Sequence, residues 1–366
     1  MSWYYKQPVE IIFGAGEMMS LPERISDSKN ILIVTNSFFL DNENVNEIVR
    51  KLNAKVFTDV SENPDVAEVN RCSRFIRETE SDVIVAIGGG SVIDLAKAAS
   101  VMEENICIYH GTGKAIAANT KARLIAVPTT AGTGSEVTNV SVLSDRKTGK
   151  KCPIVSDSFY PDLAVIDPML TITMPPFVTA STGIDVLCHA IEGYWSKGHQ
   201  PVCDELAVCA AGKVFNWLKT AYEQPDSLEA RVNMAEASLF AGLAFSLPKT
   251  TSSHACSFPL TSIYGIPHGE ACGLTLDYFV RINSGDNRVI ALAERLGFDS
   301  VQSLADCIFD LKKQLRLRIG LADLSLSDDQ ITELVIKSHH PNLLNNPIEI
   351  TDEILYSIYN DLRKRA

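Results

Sequence analysis

Short apolar runs alternate with stretches of helical periodicity through the first half of the chain. Four runs have the length and the continuous apolar character of strands buried inside a parallel sheet: residues 31–34, 83–87, 124–127 and 163–166. Alternation of such strands with helices predicts a doubly wound α/β domain. This pattern continues as far as about Asp167.

The pattern changes beyond the segment Met174-Pro175-Pro176. Long amphipathic stretches follow, such as residues 204–221 and 228–245, and no convincing strand is found among them. A chain of 366 residues also exceeds one ordinary core. We therefore predict an α/β domain over residues 1–175 and a helical domain over residues 176–366.

Four potential metal ligands stand out in the second half. Asp185 and His189 lie four residues apart in TGIDVLCHAIEGY, a segment of helical periodicity, so both side chains leave one helix face. His254 and His268 add two imidazoles, and we expect the segment between them, rich in proline and glycine, to be a loop that brings both to one point. One carboxylate and three imidazoles suit Fe²⁺ or Zn²⁺ better than Ca²⁺ or Mg²⁺.

For each of these histidines alone, a satisfied or surface position is the alternative. The metal interpretation gains weight because both segments are otherwise apolar and small, and polar groups in such surroundings need partners. The other histidines occur in polar contexts, and we expect them to have no metal role: His110, His199, His339 and His340.

A glycine-rich turn follows the second apolar run, in SDVIVAIGGGSVIDLAKAAS. Glycines admit a ligand close to the backbone, and a helix N-terminus favours phosphate, so the residues 88–91 predict a pyrophosphate site. The alternative is a tight turn with Ser91 as the helix N-cap. Asp94 and Lys97, taken alone, indicate an ordinary solvated pair on the exposed side of the helix.

The segment LIAVPTTAGTGSEVTNVSVL runs from the third apolar run into a turn rich in threonine and glycine. Thr129, Thr130, Thr133 and Ser135 offer hydroxyls and backbone amides that can hold the phosphate and ribose of a cofactor. Taken alone, the segment indicates only a polar loop.

Four motifs in this order, GGGSVIDLAK, PTTAGTGSEVT, GIDVLCHAIEGY and IPHGEA, resemble the group III, iron-containing alcohol dehydrogenase family, which is related to glycerol dehydrogenase and dehydroquinate synthase. The resemblance covers nearly the whole chain. It implies an α/β Rossmann-like N-terminal domain plus an all-α C-terminal domain, with NADH or NADPH in the cleft and Fe²⁺ or Zn²⁺ beneath it.

The resemblance also implies roles for individual residues. The implied metal ligands are Asp185, His189, His254 and His268. The implied cofactor contacts are Gly89, Gly90, Ser91, Asp94, Thr129, Thr130, Thr133, Lys151 and Asn63. Gly88, in the glycine turn, and Asn36, at the end of the second strand, are further candidate cofactor residues.

Two positions depart from the family pattern. Many members that prefer NAD carry an aspartate where this chain has Asn36, and without that carboxylate a 2′-phosphate is not repelled. Many relatives also carry a histidine, often suggested as a proton relay, where this chain has Phe258. Water or the ribose hydroxyls of the cofactor would then have to carry the proton.

The segment KTTSSHACSFPLTSIYGIPHG further resembles phosphonoacetaldehyde reductases within this family. Lys249, just before His254, then faces the anionic head group of a substrate. The alternative is a lysine that caps a helix end.

Net charge and the arrangement of cysteines restrict the classes of binding partner and the cellular compartment. A formal net charge of −12 argues against nucleic acid and anionic membranes, so a small-molecule substrate is expected. The nine cysteines are scattered without a CxxC pair and no signal-like N-terminus is present, which predicts a cytoplasmic protein with reduced thiols. A homodimer or a higher homo-oligomer is left open.

We therefore expect a metal-dependent, NAD(P)-linked alcohol dehydrogenase or aldehyde reductase acting on a small primary alcohol or aldehyde, with phosphonoacetaldehyde as one candidate. A general short-chain alcohol or polyol dehydrogenase and a lyase of the dehydroquinate synthase type are the alternatives. A nucleotide-binding or metal-sensing protein without turnover is the third.

The first prediction concerns the choice of cofactor. Because Asn36 lacks a negative charge, NADPH should be accepted at least as well as NADH, and Asn36→Asp should shift the preference towards NADH by repelling the 2′-phosphate. The kcat/KM ratio for the two cofactors, measured in both proteins, checks this. A wild type that shows no activity with NADPH would mean that Asn36 does not contact the adenosine ribose of the cofactor.

Overall fold

The computed structural model describes residues 2–101, 106–109, 116, 122–145 and 150–366. It contains two compact units. The first unit comprises Lys6–Ile172, and the second comprises Thr173–Ala366 together with the N-terminal residues up to Tyr5. No helix among the described residues is long and apolar enough to span a membrane.

The first unit is built on a six-stranded parallel sheet with the strand order β1-β8-β5-β4-β2-β3, beside an antiparallel hairpin of β6 and β7. The strands are β1 Glu10–Phe13, β2 Ile31–Thr35, β3 Lys55–Phe57, β4 Val83–Gly88, β5 Arg123–Pro128, β6 Val140–Asp145, β7 Lys150–Val155 and β8 Leu163–Ile166. All four predicted runs are strands of this sheet. Sequence analysis did not identify β1 and β3, which are short strands at the sheet edges, or the hairpin.

Helices cover the sheet and make up the second unit. In the first unit they are α1 Leu21–Arg24, α2 Glu43–Lys51, α3 Val66–Glu78 and α4 Gly90–Ser100. In the second unit they are α5 Pro176–Trp195, α6 Pro201–Glu223, α7 Leu228–Phe245, α8 Ser252–Tyr264, α9 His268–Ile282, α10 Asn287–Arg295, α11 Val301–Gln314, α12 Asp328–Lys337 and α13 Asp352–Leu362. The α/β and all-α fold class is confirmed.

Both faces of the parallel sheet are buried. Along β2, Leu32 and Val34 belong to one apolar core, and Ile31 and Ile33 belong to the core on the opposite face. Alternate side chains of a strand point to opposite faces, so a strand covered on both sides needs apolar residues at every position. This is why the central strands appear in the sequence as continuous apolar runs.

The segment between His254 and His268 is helical, and the prediction of a loop there is wrong. Helix α8 continues through Pro259 as far as Tyr264, and only three residues separate it from α9. Gly265 adopts the left-handed conformation (φ +68°) that ends α8. Prolines and glycine therefore mark a helix interior and a tight helix-to-helix turn, not an extended loop.

Lys97 corrects a second expectation, because it is completely buried. Its Nζ donates to Ser135 Oγ at 2.9 Å, to Val140 O at 3.0 Å and to Thr138 Oγ1 at 3.3 Å. Burial lowers the pKa of Lys97 to about 8. Helix α4 packs against both the sheet and β6, so neither side of this helix is left to solvent.

We predict that Lys97→Met lowers the free energy of unfolding by about 2–4 kcal/mol, because buried acceptors lose their donor and the nearby carboxylates lose a positive charge. Urea unfolding followed by circular dichroism measures the change. The exposed Lys51→Met is the matched control and should shift stability by less than about 0.5 kcal/mol. Equal stability of the two variants would contradict the structural role of Lys97.

Candidate active site

Three helices of the second unit bring the four predicted metal ligands together. Asp185 and His189 lie one turn apart on α5, His254 is the third residue of α8, and His268 is the first residue of α9. Asp185 Oδ1 lies 3.6 Å from His254 Nε2 and 4.0 Å from His189 Nε2. The ring centroid of His254 lies 4.6 Å from that of His189 and 5.6 Å from that of His268.

A glycine beside His268 makes this approach possible. A Cβ on Gly269 would lie 2.0 Å from the carbonyl oxygen of Ser181 and 3.0 Å from Asp185 Cβ. Only a residue without a side chain lets the start of α9 lie directly against the backbone of α5. The distance from His268 to Asp185 therefore depends on this position.

Cys272 is a potential ligand that sequence analysis missed. The donor atoms of Asp185, His254, His268 and Cys272 all lie within 4.8 Å of one another. The thiol lies one helical turn after His268, with Sγ 3.8 Å from its Nε2. Spacing on α9 is the signal that was available, since residues four apart on a helix share a face. His189 is not part of this group of four.

The donor set fits a bound divalent cation. Asp185, His189 and His254 are only 3 to 5% exposed. His254 Nε2 is buried and has no hydrogen-bond partner among the described residues, although it lies beside a carboxylate. A buried polar atom without a partner is costly, and a cation bound between the imidazoles and the carboxylate would satisfy it.

Glu192 is the second residue that sequence analysis missed. It is completely buried and contacts His254 Nδ1 through Oε2. Burial alone would lower the pKa of His254, but the charge and the hydrogen bond of Glu192, together with Asp185, raise it above its ordinary value. The available signal was spacing on α5, because Glu192 follows His189 by three residues.

Aromatic rings enclose the histidines. His189 stacks on Phe245 with 4.2 Å between ring centroids, and the Phe258 ring lies nearly parallel to that of His268 at 6.4 Å. The His340 ring also lies against Phe258, with 4.6 Å between the two ring centroids. His340 had been expected in a polar context, yet it is half-buried at this aromatic cluster.

His199 and His339 have carboxylate partners outside this cluster. His199 pairs with Asp204 at 3.2 Å, and the exposed His339 pairs with Asp352 at 2.7 Å. His110 lies outside the described residues.

Lys249 caps the end of α7. Its Nζ donates to Ser246 O at 2.7 Å, and its backbone has φ +68°. This position corresponds to the helix cap that sequence analysis gave as the alternative to a contact with the substrate. The side chain is half-buried and directly precedes Thr250, whose hydroxyl accepts from Asn342 Nδ2 at 2.8 Å. The segment that carries His340 is thereby held against the segment that carries Lys249.

In the first unit, the two predicted cofactor loops lie side by side. The glycine loop, residues 88–91, lies at the carboxyl end of β4, and the threonine loop, residues 129–133, follows β5. Thr129 N donates to Gly88 O at 3.0 Å. A Cβ on Gly90 would lie 2.8 Å from Thr133 Cγ2, and one on Gly89 would lie 3.3 Å from Thr130 Oγ1. The glycines therefore allow the threonine loop to approach the start of α4.

The start of α4 differs from the simple turn with Ser91 as N-cap. Gly89 is the N-cap, and Ser91 lies in the first turn, where its Oγ accepts from Asn63 N at 3.2 Å. Asn63 adopts a left-handed conformation (φ +53°). The first turn of α4 thus presents backbone amides without a capping side chain of its own, as an anion-binding helix N-terminus does.

The remaining predicted cofactor residues have different surroundings. Asp94 accepts from Ser135 Oγ and from Val142 N, and burial raises its pKa. Asn36 Nδ2 donates to Val60 O at 2.8 Å. Lys151 is half-buried on β7. The structure brings the two loops together, and the positive charge of Lys151, on the hairpin, is close enough to Asp94 to lower the pKa of that carboxyl.

Comparisons with known proteins identify the family of the chain. Residues 8–168 match the family model described as iron-containing alcohol dehydrogenase, and residues 179–362 match that of the Fe-containing alcohol dehydrogenase family, C-terminal. Long-chain-alcohol dehydrogenase 1 of Geobacillus thermodenitrificans is 34% identical, over 78% of this chain and 76% of that protein. An NADPH-dependent butanol dehydrogenase of Clostridium saccharobutylicum is 31% identical, over 90% of this chain and 88% of that protein.

A solved structure is also similar over the full length. The sulfoacetaldehyde reductase from Bifidobacterium kashiwanohense, in complex with NAD⁺, is 52% identical, with a TM-score of 0.96 and 100% coverage of both chains. Because family models match both halves of the chain and the relatives match most of its length, this protein belongs to the iron-containing alcohol dehydrogenase family.

Proposed function

We propose that this protein reduces a short aldehyde that carries an anionic group to the corresponding primary alcohol. As a member of its family, the chain is an oxidoreductase of alcohols and aldehydes that uses a nicotinamide cofactor and a divalent metal. The observation that carries the assignment of the site is the buried donor cluster around Asp185 and His254, with an imidazole nitrogen that lacks a hydrogen-bond partner among the described residues.

We propose the predicted division of roles between the domains. Residues 176–366 hold Fe²⁺ or Zn²⁺ through Asp185, His189, His254 and His268, and residues 1–175 hold the dinucleotide. When bound there, the metal would supply Lewis-acid polarisation of the aldehyde carbonyl, and NAD(P)H would supply the hydride. The protein's own groups position these partners, while Phe245 and Phe258 exclude water from the histidine cluster.

The proposed cofactor site uses backbone more than side chains. The amides in the first turn of α4 and the adjacent threonine loop suit the pyrophosphate, because a helix N-terminus presents unpaired N–H groups and a positive dipole end. The proposed contacts are Asn36, Asn63, Gly88, Gly89, Gly90, Ser91, Asp94, Thr129, Thr130, Thr133 and Lys151.

Two side chains of the second unit are suited to an anionic head group. Lys249 lies three residues before the start of α8, and its amine donates to Ser246 O at the end of α7. His340 Nδ1 accepts from the backbone N–H of Asn342, so a neutral His340 carries its proton on Nε2 as a donor. In a chain with net charge −12, an anionic substrate needs such local donors.

Sulfoacetaldehyde is the leading candidate substrate, because the 52% identical relative is named as a reductase of this compound. Phosphonoacetaldehyde, favoured by the sequence around His254, shares the two-carbon aldehyde and differs in the head group. A general short-chain alcohol dehydrogenase is the second candidate, supported by relatives named for propanol and butanol. We also propose a cytoplasmic location, on the scattered cysteines.

Removing a ligand should empty the metal site without unfolding the protein. We predict that Asp185→Ala and His268→Ala each lose stoichiometric metal and at least about 100-fold in kcat/KM, because the remaining donors no longer complete the site. Metal analysis and circular dichroism of the purified variants check this. A folded variant that keeps one metal ion per chain and full activity would remove that residue from the site.

Lys249→Met should reduce the preference for anionic aldehydes. A half-buried contact with a charged partner is worth about 1.5–3 kcal/mol, which corresponds to roughly a 10- to 100-fold change in the kcat/KM ratio of sulfoacetaldehyde to propanal. Lys197→Met is the matched control, since its amine bonds to Leu344 O, and it should leave that ratio unchanged.

Phosphonoacetaldehyde, assayed in parallel, distinguishes the two head groups. If propanal equals or exceeds both anionic aldehydes with the wild-type enzyme, the anionic substrate is wrong and the protein acts as a general short-chain alcohol dehydrogenase.

A further inference from the structure

Glu192 lies at the centre of a hydrogen-bond network next to the proposed metal ligands. Its Oε1 accepts from the Thr251 hydroxyl at 2.8 Å and from the Ser253 backbone N–H at 2.6 Å. Its Oε2 contacts His254 Nδ1. Glu192, Thr251 and Ser253 are completely buried, so water does not compete for these bonds.

Trp195 fixes the direction of this network. An indole nitrogen can only donate, so Thr251 Oγ1, 2.7 Å from Trp195 Nε1, must accept from it. The single hydroxyl hydrogen of Thr251 is then available for Glu192. The Ser253 amide can likewise only donate. Glu192 Oε1 therefore receives two hydrogen bonds whose direction cannot be reversed.

From this arrangement we propose that Glu192 is a positioning residue that holds the proton of His254 on Nδ1 and directs the Nε2 lone pair at the metal. A neutral imidazole carries one proton, so a bond from Nδ1 to the carboxylate leaves Nε2 as the acceptor. Nε2 is the atom that lies 3.6 Å from Asp185 Oδ1 and lacks a hydrogen-bond partner within the described ranges. This inference rests on the proposed metal site.

The same carboxylate anchors the helix that carries His254. Ser253 is the second residue of α8, so its amide belongs to the first turn, where a negative charge is stabilised by the helix dipole. The N-cap residue Thr251 makes no capping hydrogen bond with its own side chain, because its hydroxyl bonds to Glu192. Glu192 thus fixes both the position of the α8 backbone and the orientation of one imidazole.

Ser257 makes a similar but longer hydrogen-bond contact with His268. Its hydroxyl donates to His254 O at 2.7 Å, which uses its only hydrogen. Its contact with His268 Nδ1 at 3.4 Å can then only be one in which the imidazole donates. Both histidines therefore carry the proton on Nδ1 and offer Nε2 to a metal ion.

The test is the affinity of the metal-stripped, full-length protein for Zn²⁺, measured by competition with a chromogenic chelator. Glu192→Gln should raise the Kd about 10- to 100-fold, because a carboxamide introduces a donor where all three partners donate. Thr251→Val, which keeps the shape but removes the hydroxyl, should raise it about 3- to 10-fold.

Glu68→Gln is the matched control. Glu68 is a buried carboxylate of the first unit that accepts from the amides of Ser61 and Asp65, so the substitution disturbs a similar network without touching the proposed ligands. Its Zn²⁺ affinity should equal that of the wild type. The unfolding midpoint of each metal-free variant separates lost stability from lost affinity.

Wild-type affinity in both Glu192→Gln and Thr251→Val would overturn the proposal, as would an equal loss in Glu68→Gln. A wild type that binds no Zn²⁺ would instead overturn the metal site itself, so the two failures are distinguishable. At saturating Zn²⁺, Glu192→Gln should regain kcat to within about fivefold, since affinity and not the chemistry is impaired. Failure to regain it would contradict a positioning role.

Discussion

The burial of Asp185 beside three imidazoles is the constraint on which the second unit depends. A carboxylate that is 3% exposed must be compensated by nearby positive charge or by hydrogen bonds. Helices α5, α8 and α9 meet at this point, and each contributes at least one donor. A single ion held between them would contact all three helices as well as supply the chemistry.

The first unit meets a different constraint, which is to bring backbone amides close to phosphate. Gly89 and Gly90 achieve this by omitting side chains where the threonine loop comes near, and a Cβ on Gly90 would lie 2.8 Å from Thr133 Cγ2. The completely buried Lys97 and the half-buried Asp94 then connect α4 to residues after the threonine loop. The binding surface is thus supported by a network of buried and half-buried polar groups.

The sequence indicated much of this structure because several of its signals are local. Continuous apolar runs marked β2, β4, β5 and β8, since burial on both faces leaves no polar alternation. Asp185 and His189 followed from helical spacing. The other residues could not be found in this way: Glu192 meets His254 only through the packing of α5 on α8, and His340 meets Phe258 across more than 80 positions. Pro259 was misread because proline can remain inside a helix whose packing holds it.

The most direct test is X-ray absorption spectroscopy of the wild-type protein loaded with one equivalent of Zn²⁺. Ligation by Asp185, His189, His254 and His268 predicts a first shell of nitrogen and oxygen alone at about 2.0–2.1 Å, with outer-shell scattering from three imidazoles. A sulfur at about 2.3 Å would contradict this ligand set and place Cys272 in the shell. A protein that retains no zinc would contradict the site altogether.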